Sequence, residues 1–119
     1  SNNYMVNFRG SRFVLYSLSA VVLFGLTTQY MDFPFFQPVW QNLPIFDVQK
    51  SMARYLVRSK LLIGKSRQEV IDLLKVGAKY QALVPGPQDM QVMSIPVHAT
   101  EWSLLHLYFR GDRVVDAGI

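Results

Sequence analysis

The chain contains no cysteine among its 119 residues. That excludes a disulfide scaffold, a cysteine zinc site and a lipid-modified cysteine anchor. Seven glycines and six prolines are too few for a collagen-like or low-complexity chain. Charge is also scarce. Only 17% of residues are charged, whereas about 25% is usual for a globular domain. The shortage is local: residues 1–46 carry three charged side chains, Arg9, Arg12 and Asp32, and residues 47–119 carry the other seventeen. Composition therefore divides the chain into an apolar leader and a domain of ordinary polarity. The whole is weakly basic, with a formal net charge of +4.

Phe13 to Met31 is a run of 19 uncharged residues. As a helix it would be about 28 Å long, close to the thickness of a bilayer core. Ser17, Ser19, Thr27, Thr28 and Gln29 make it moderately hydrophobic. Hydroxyls are tolerable there because they bond back to helix carbonyls. Arg9 and Arg12 flank the start, so the positive-inside rule places the N-terminus in the cytoplasm and the rest outside. Tyr30, Phe33, Phe35, Phe36 and Trp40 crowd the outer end, where an interfacial aromatic belt belongs. A signal peptide and a buried core helix are the competing readings. Against the first, no small-residue cleavage site follows Leu26. Against the second, so small a domain has little volume to surround a helix apolar on nearly all sides. Residues 1–31 are thus expected to be a cytoplasmic N-terminus and a transmembrane anchor.

Residues 32–46 form a connector rich in aromatics. Pro34, Pro38 and Pro44 forbid a continuous helix through it. Its aromatics suit either the membrane surface and a partner, or the cover of the domain's own core. The sequence leaves both open.

Residues 47–119 read as an α+β domain of two helices and three to four antiparallel strands. Asp47 is an expected N-cap for a helix over Val48 to Ser59. Val48, Met52, Tyr55, Leu56 and Ser59 share one face; Lys50, Arg54 and Arg58 share the other. Leu61-Leu62-Ile63-Gly64 is a hydrophobic turn. Ser66 and Glu69 have capping-box spacing. They open a second helix with Val70, Ile71, Leu73 and Leu74 inward, ending near Val76-Gly77. A strand is expected over Tyr80 to Val84, stopped by Pro85-Gly86-Pro87. Gln91 to Val97 is a weaker run in which Pro96 suggests an edge or loop. Leu105, Leu107 and Phe109 alternate in a strand from Ser103, and Gly111-Asp112 is a hairpin turn. Val115, Ala117 and Ile119 are expected to continue the buried face on the return strand. The two helices should cover one face of the sheet.

The stretch from Arg54 through Leu62-Ile63-Gly64-Lys65-Ser66-Arg67-Gln68-Glu69-Val70-Ile71-Asp72-Leu73-Leu74 resembles the helix-two signature of SmpA/OmlA (BamE-like) small envelope proteins. The likeness is greater still to a group of uncharacterised small bacterial lipoproteins, with which Arg54 and Met52, Tyr80-Gln81-Ala82-Leu83, Trp102-Ser103-Leu104 and the hairpin of residues 105–119 stand in matching order. The resemblance covers residues 47–119. It implies a two-helix, three-strand fold and envelope assembly, scaffolding or inhibition through protein contacts, without a conserved active site. Lys75 stands where the family turns with glycine, and the lipobox cysteine is missing, so a protein helix would replace the lipid anchor.

Candidate chemistry is sparse. His98 and His106 are the only histidines, too few ligands for a metal site. No catalytic triad, nucleophile elbow or phosphate loop occurs. Arg110-Gly111-Asp112 spells an integrin-binding tripeptide, but Gly-Asp is also what a tight hairpin wants. Residues 50–79 carry eight Lys or Arg against Glu69 and Asp72. Beside a membrane connector, that basic face suits anionic headgroups or an acidic partner better than nucleic acid. The expectation is a non-enzymatic accessory or scaffold subunit of the bacterial inner membrane, single-pass, with its C-terminal domain periplasmic. It needs no cofactor, metal, nucleic acid or small-molecule substrate. Its partners are the bilayer and other membrane or envelope proteins. The expected contact residues are Arg9, Arg12, Tyr30, Phe33, Phe35, Phe36, Trp40, Lys50, Arg54 and Arg58. A free periplasmic binding or inhibitor module is the alternative, and a small soluble enzyme is the remotest reading.

Overall fold

The structure is a computed structural model that describes residues 2–42, 47–101 and 103–119, with side chains from residue 11 onward. Four helices precede a four-stranded antiparallel sheet. Helix α1 runs over Asn2–Tyr30, α2 over Gln37–Asn42, α3 over Val48–Ser59 and α4 over Arg67–Leu74. The strands are β1 (Val84–Pro85), β2 (Gln91–Val97), β3 (Ser103–Arg110) and β4 (Arg113–Gly118), in spatial order β1-β2-β3-β4. The molecule measures 74 × 23 × 21 Å. It is long because α1, about 43 Å from end to end, projects from the domain.

Helix α1 is not wrapped by its own domain. Phe13, Leu15, Tyr16, Leu18, Val22 and Leu23 are exposed, and only near Thr28 does the helix become buried. The buried-core-helix reading is therefore wrong for this segment. The hydroxyls behave as expected: Thr27 Oγ1 donates to Leu23 O at 2.7 Å and Thr28 Oγ1 to Gly25 O at 2.8 Å.

The connector is folded onto the domain. Pro38 falls in the first turn of α2, where a missing N–H costs nothing. The short helix then caps α4, whose last carbonyls have no partner within the helix. Gln37 Nε2 donates to Asp72 O at 3.2 Å and to Leu73 O at 3.0 Å, and Trp40 Nε1 donates to Leu74 O at 3.0 Å. Trp40 is 5% exposed, and Phe33 and Phe35 pack against the same core. Of the connector's two readings, the one in which its aromatics cover the domain core holds for these three. Leu43 to Phe46, with Pro44, lie outside the described residues.

Helix α3 has the expected bounds, but Asp47 gives it no side-chain cap. The carboxylate instead accepts from Thr100, from its N–H at 2.7 Å and its hydroxyl at 3.1 Å. The buried stripe is Val48, Ser51, Met52, Ala53 and Leu56; Ser59 is exposed and Tyr55 only half-buried. The capping box forms as the spacing predicts. Glu69 N–H donates to Ser66 Oγ at 3.1 Å, and Ser66 N–H to the Glu69 carboxylate at 3.3 Å. The Glu69 pKa is held below the usual carboxylate value, first by the Ser66 backbone donor, then by the Ser66 hydroxyl and by Arg113 and Lys65. Lys75 ends α4 in the left-handed region at φ 51°, where glycine is usual.

The expected strand over Tyr80 to Val84 is mostly absent. Ala78–Tyr80 is a 3₁₀ turn, and β1 is only Val84–Pro85. Gln81 explains the difference. Its side chain donates to Val76 O at 2.9 Å, and its carbonyl accepts from Arg67 Nη2 at 2.8 Å, so the segment is tied to α4 instead of a strand. Gln91–Val97 is a full strand rather than a loop. Pro96 is tolerated because β1 covers only Gln91 and Val92, leaving the far half of β2 as an edge.

The β3–β4 hairpin turns at Gly111, φ +64°. Its return strand departs from strict alternation. Phe109 pairs with Val114 but Tyr108 pairs with Asp116, so Val115 is an extra residue in a bulge. A bulge shifts the faces by one position. Val114 is buried (1% exposed), whereas Val115 (38%) and Ile119 (45%) face outward, against expectation. Ala117, beyond the bulge, does pack on the core. The core joins Met52, Leu56, Leu62, Val70 and Leu74 from the helical layer to Met93, Ile95, Leu105, Leu107 and Phe109 from the sheet.

Candidate functional site

Ser11–Tyr30 is long and apolar enough to cross a membrane, the one such helix among the described residues. A signal sequence would meet the same criterion. What distinguishes this helix is how it ends. A helix leaves its last carbonyls without intrahelical partners, and they carry the negative end of its dipole. Here α3 supplies the donors. Arg54 Nη2 donates to Thr28 O at 3.1 Å and to Met31 O at 3.0 Å. Ser51 Oγ also donates to Thr28 O. Asp47 N–H reaches Thr28 Oγ1 at 3.3 Å. Thr28 and Ser51 are both fully buried in this joint.

Asp32 completes the arrangement. Its carboxylate accepts from Arg54 Nε at 2.9 Å and from Arg58 Nη1 at 2.6 Å. Arg54 and Asp32 are largely shielded, with side chains 17% and 15% exposed, whereas Arg58 is 74% exposed. The Arg54 contacts are charge-assisted and poorly hydrated, so they fix the direction of α1 relative to the domain. The Arg58 contact is screened by water and adds little.

Of the expected contact residues, the structure gathers Arg54 and Arg58 at this joint, with Lys50 one turn earlier on α3. Tyr30 and Phe36 are exposed at 76% and 60% beside it. Phe33, Phe35 and Trp40 are taken up by the domain. Arg12 is exposed. The side chain of Arg9, and Trp102, lie outside the described residues. The basic face of α3 is therefore not one solvated stripe, because two of its three cations turn to Asp32. Sequence reasoning missed Thr28, Ser51 and Thr100. Thr28 carries no local signal. Asp32 did: it is the sole acid of residues 1–46, in a chain with an i, i+4 arginine pair further along.

The two histidines stand apart. His106 Nδ1 lies 2.9 Å from Ser94 Oγ on the sheet face away from the helices, and the backbone N–H of His98 donates to Gln49 Oε1. No family model, curated protein or solved structure matches the chain. The likeness to SmpA/OmlA proteins rests on the residues quoted for it.

Proposed function

We propose that this protein is a single-pass accessory or scaffold subunit of a bacterial inner-membrane assembly, with a cytoplasmic N-terminus and a periplasmic domain of the SmpA/OmlA kind. The observation that carries the reading is the α1–α3 joint. A removable signal sequence has no use for polar contacts to the domain that follows it. Cleavage after Met31 would take away Thr28 and Met31, the carbonyl partners of Arg54, and leave that arginine with Asp32 and Ser51. A retained helix fixed at its outer end holds the domain at one height and orientation above the bilayer, which is what a scaffold requires. The order of two helices followed by antiparallel strands agrees with the fold that the resemblance implies. The protein is read as non-enzymatic, acting through contacts with lipid and with neighbouring envelope proteins.

Two measurements test this. Alkaline carbonate washing should leave the full-length protein in the membrane pellet; release into the supernatant refutes the anchor. The intact mass of the native protein should include residues 11–31. A mature chain starting beyond Met31 would instead make it a free periplasmic module.

A further inference from the structure

Beside the α1–α3 joint lies a groove of about 290 Å³ between α1 and the domain. Val21, Val22, Gly25 and Leu26 form its apolar wall, and Gln29, Asp47 and Thr100 are its polar residues. A second groove of about 350 Å³ shares Val22 and Leu26 with it and continues along α1 to Leu18. From Leu18 to Gln29 the helix rises about 16 Å, and half a hydrocarbon core is about 15 Å. Together the grooves run the depth of one leaflet, polar at the outer end and apolar below it. Val22 and Leu26, 61% and 50% exposed, stand on a face of α1 that its own domain leaves open.

Asp47 is the unusual group in this setting, because it is only 5% exposed. Thr100 donates to Oδ1 through its N–H at 2.7 Å and its hydroxyl at 3.1 Å, whereas Oδ2 has only the same hydroxyl at 3.3 Å. Both donors are neutral. No cation pairs with Asp47 among the described residues. The N-terminus of α3 offers it no more than about half a positive charge. A carboxylate so far from water at the edge of a bilayer calls for a full counter-charge. The wall that leads to it is the lipid-facing stretch of the span, so the matching ligand is an amphiphile with a cationic head.

We propose that this groove holds one phospholipid with a primary ammonium headgroup, of the phosphatidylethanolamine class. The ammonium donates to Asp47 Oδ2, the Gln29 amide donates to the phosphate, and an acyl chain lies along Val22 and Leu26. A quaternary headgroup has no N–H to donate, and an anionic headgroup brings the wrong sign. The proposal rests on the membrane-anchor reading and deepens it, since the bound lipid fixes the depth of the joint in the outer leaflet.

The test is native mass spectrometry of the full chain in mild detergent, with added lipids of matched acyl chains. Phosphatidylethanolamine should bind one to one, about tenfold more tightly than phosphatidylcholine or phosphatidylglycerol. Asp47→Asn keeps an oxygen for Thr100 but removes the charge, so it should erase that preference and leave the melting temperature unchanged. Val22→Trp fills the groove from the exposed side of α1 and should abolish the binding without touching the domain. Equal binding of the three lipids overturns the proposal, as does a preference that survives either substitution. Dissociation of a native protein complex by Asp47→Asn, with no lipid preference in the wild type, also overturns it, since the occupant is then a partner's cation. Carbonate washing separates this from the anchor reading. A chain that stays in the pellet but shows no lipid preference sinks the groove alone, and release into the supernatant sinks the anchor.

Discussion

Replacing Trp40 with alanine tests whether the connector belongs to the domain or to the bilayer surface. The indole is 5% exposed, stacks in a tilted arrangement on Phe35 at 5.7 Å, and donates to Leu74 O at 3.0 Å. Removing it costs the buried apolar area and the aromatic pair, the latter about 0.5–1.5 kcal/mol. It also strands a buried carbonyl at the end of α4, about 1–3 kcal/mol. Together these place Trp40→Ala in the range of about 3–5 kcal/mol seen for buried large-to-small changes. For a domain of this size, each kcal/mol shifts the melting temperature by about 4–8 °C, so the expected drop is about 12–40 °C. Trp40→Phe keeps most of the apolar contact and loses the donor, so it should fall between wild type and alanine. The assay is hydrogen exchange at Leu105 to Phe109 in the full chain, in detergent micelles, because these core amides open only when the domain unfolds. A loss below about 1 kcal/mol, accompanied by weaker partition into liposomes, would show that Trp40 sits at the lipid interface and would refute the packing argument.

Four further outcomes are expected. Asp32→Asn should broaden spin-label distances between α1 and the domain and cost about 1–2 kcal/mol, whereas Arg58→Ala should cost under about 0.5 kcal/mol, measured by chemical denaturation. The bulge predicts opposite tolerance at adjacent positions: Val114→Asp should prevent folding, while Val115→Asp should change the melting temperature little. Lys75→Gly should raise stability by about 0.5–1 kcal/mol in the same denaturation assay, because the native φ of 51° strains a side-chain-bearing residue. Glu69 has a folded pKa below its unfolded one. Its contribution is therefore complete above the ordinary glutamate range and is lost as pH falls through the depressed folded value. Glu69→Gln should flatten that part of the acid-unfolding profile followed by circular dichroism.

The one-dimensional pattern determined those features whose causes are local. The apolar run from Phe13, the capping box at Ser66 and Glu69, the three-and-four spacing of α3 and the Gly111 turn each depend on neighbours within a few residues. All are in place in the structure. The expected strand at Tyr80 failed because Gln81 bonds to α4, and Val115 left the core because it is the extra residue of the bulge, with Val114 taking the inward place opposite Phe109. Neither effect has a signature in its own stretch of chain. The same holds for the candidate site. Lys50, Arg54 and Arg58 could be read as one basic face, since helical spacing alone aligns them. That Arg54 would close the end of α1 and that Asp32 would take two of the three cations depends on contacts between residues at least 20 positions apart. Only tertiary packing brings such groups together. It does so here because a helix end and a largely shielded carboxylate each need partners that their own segments cannot provide.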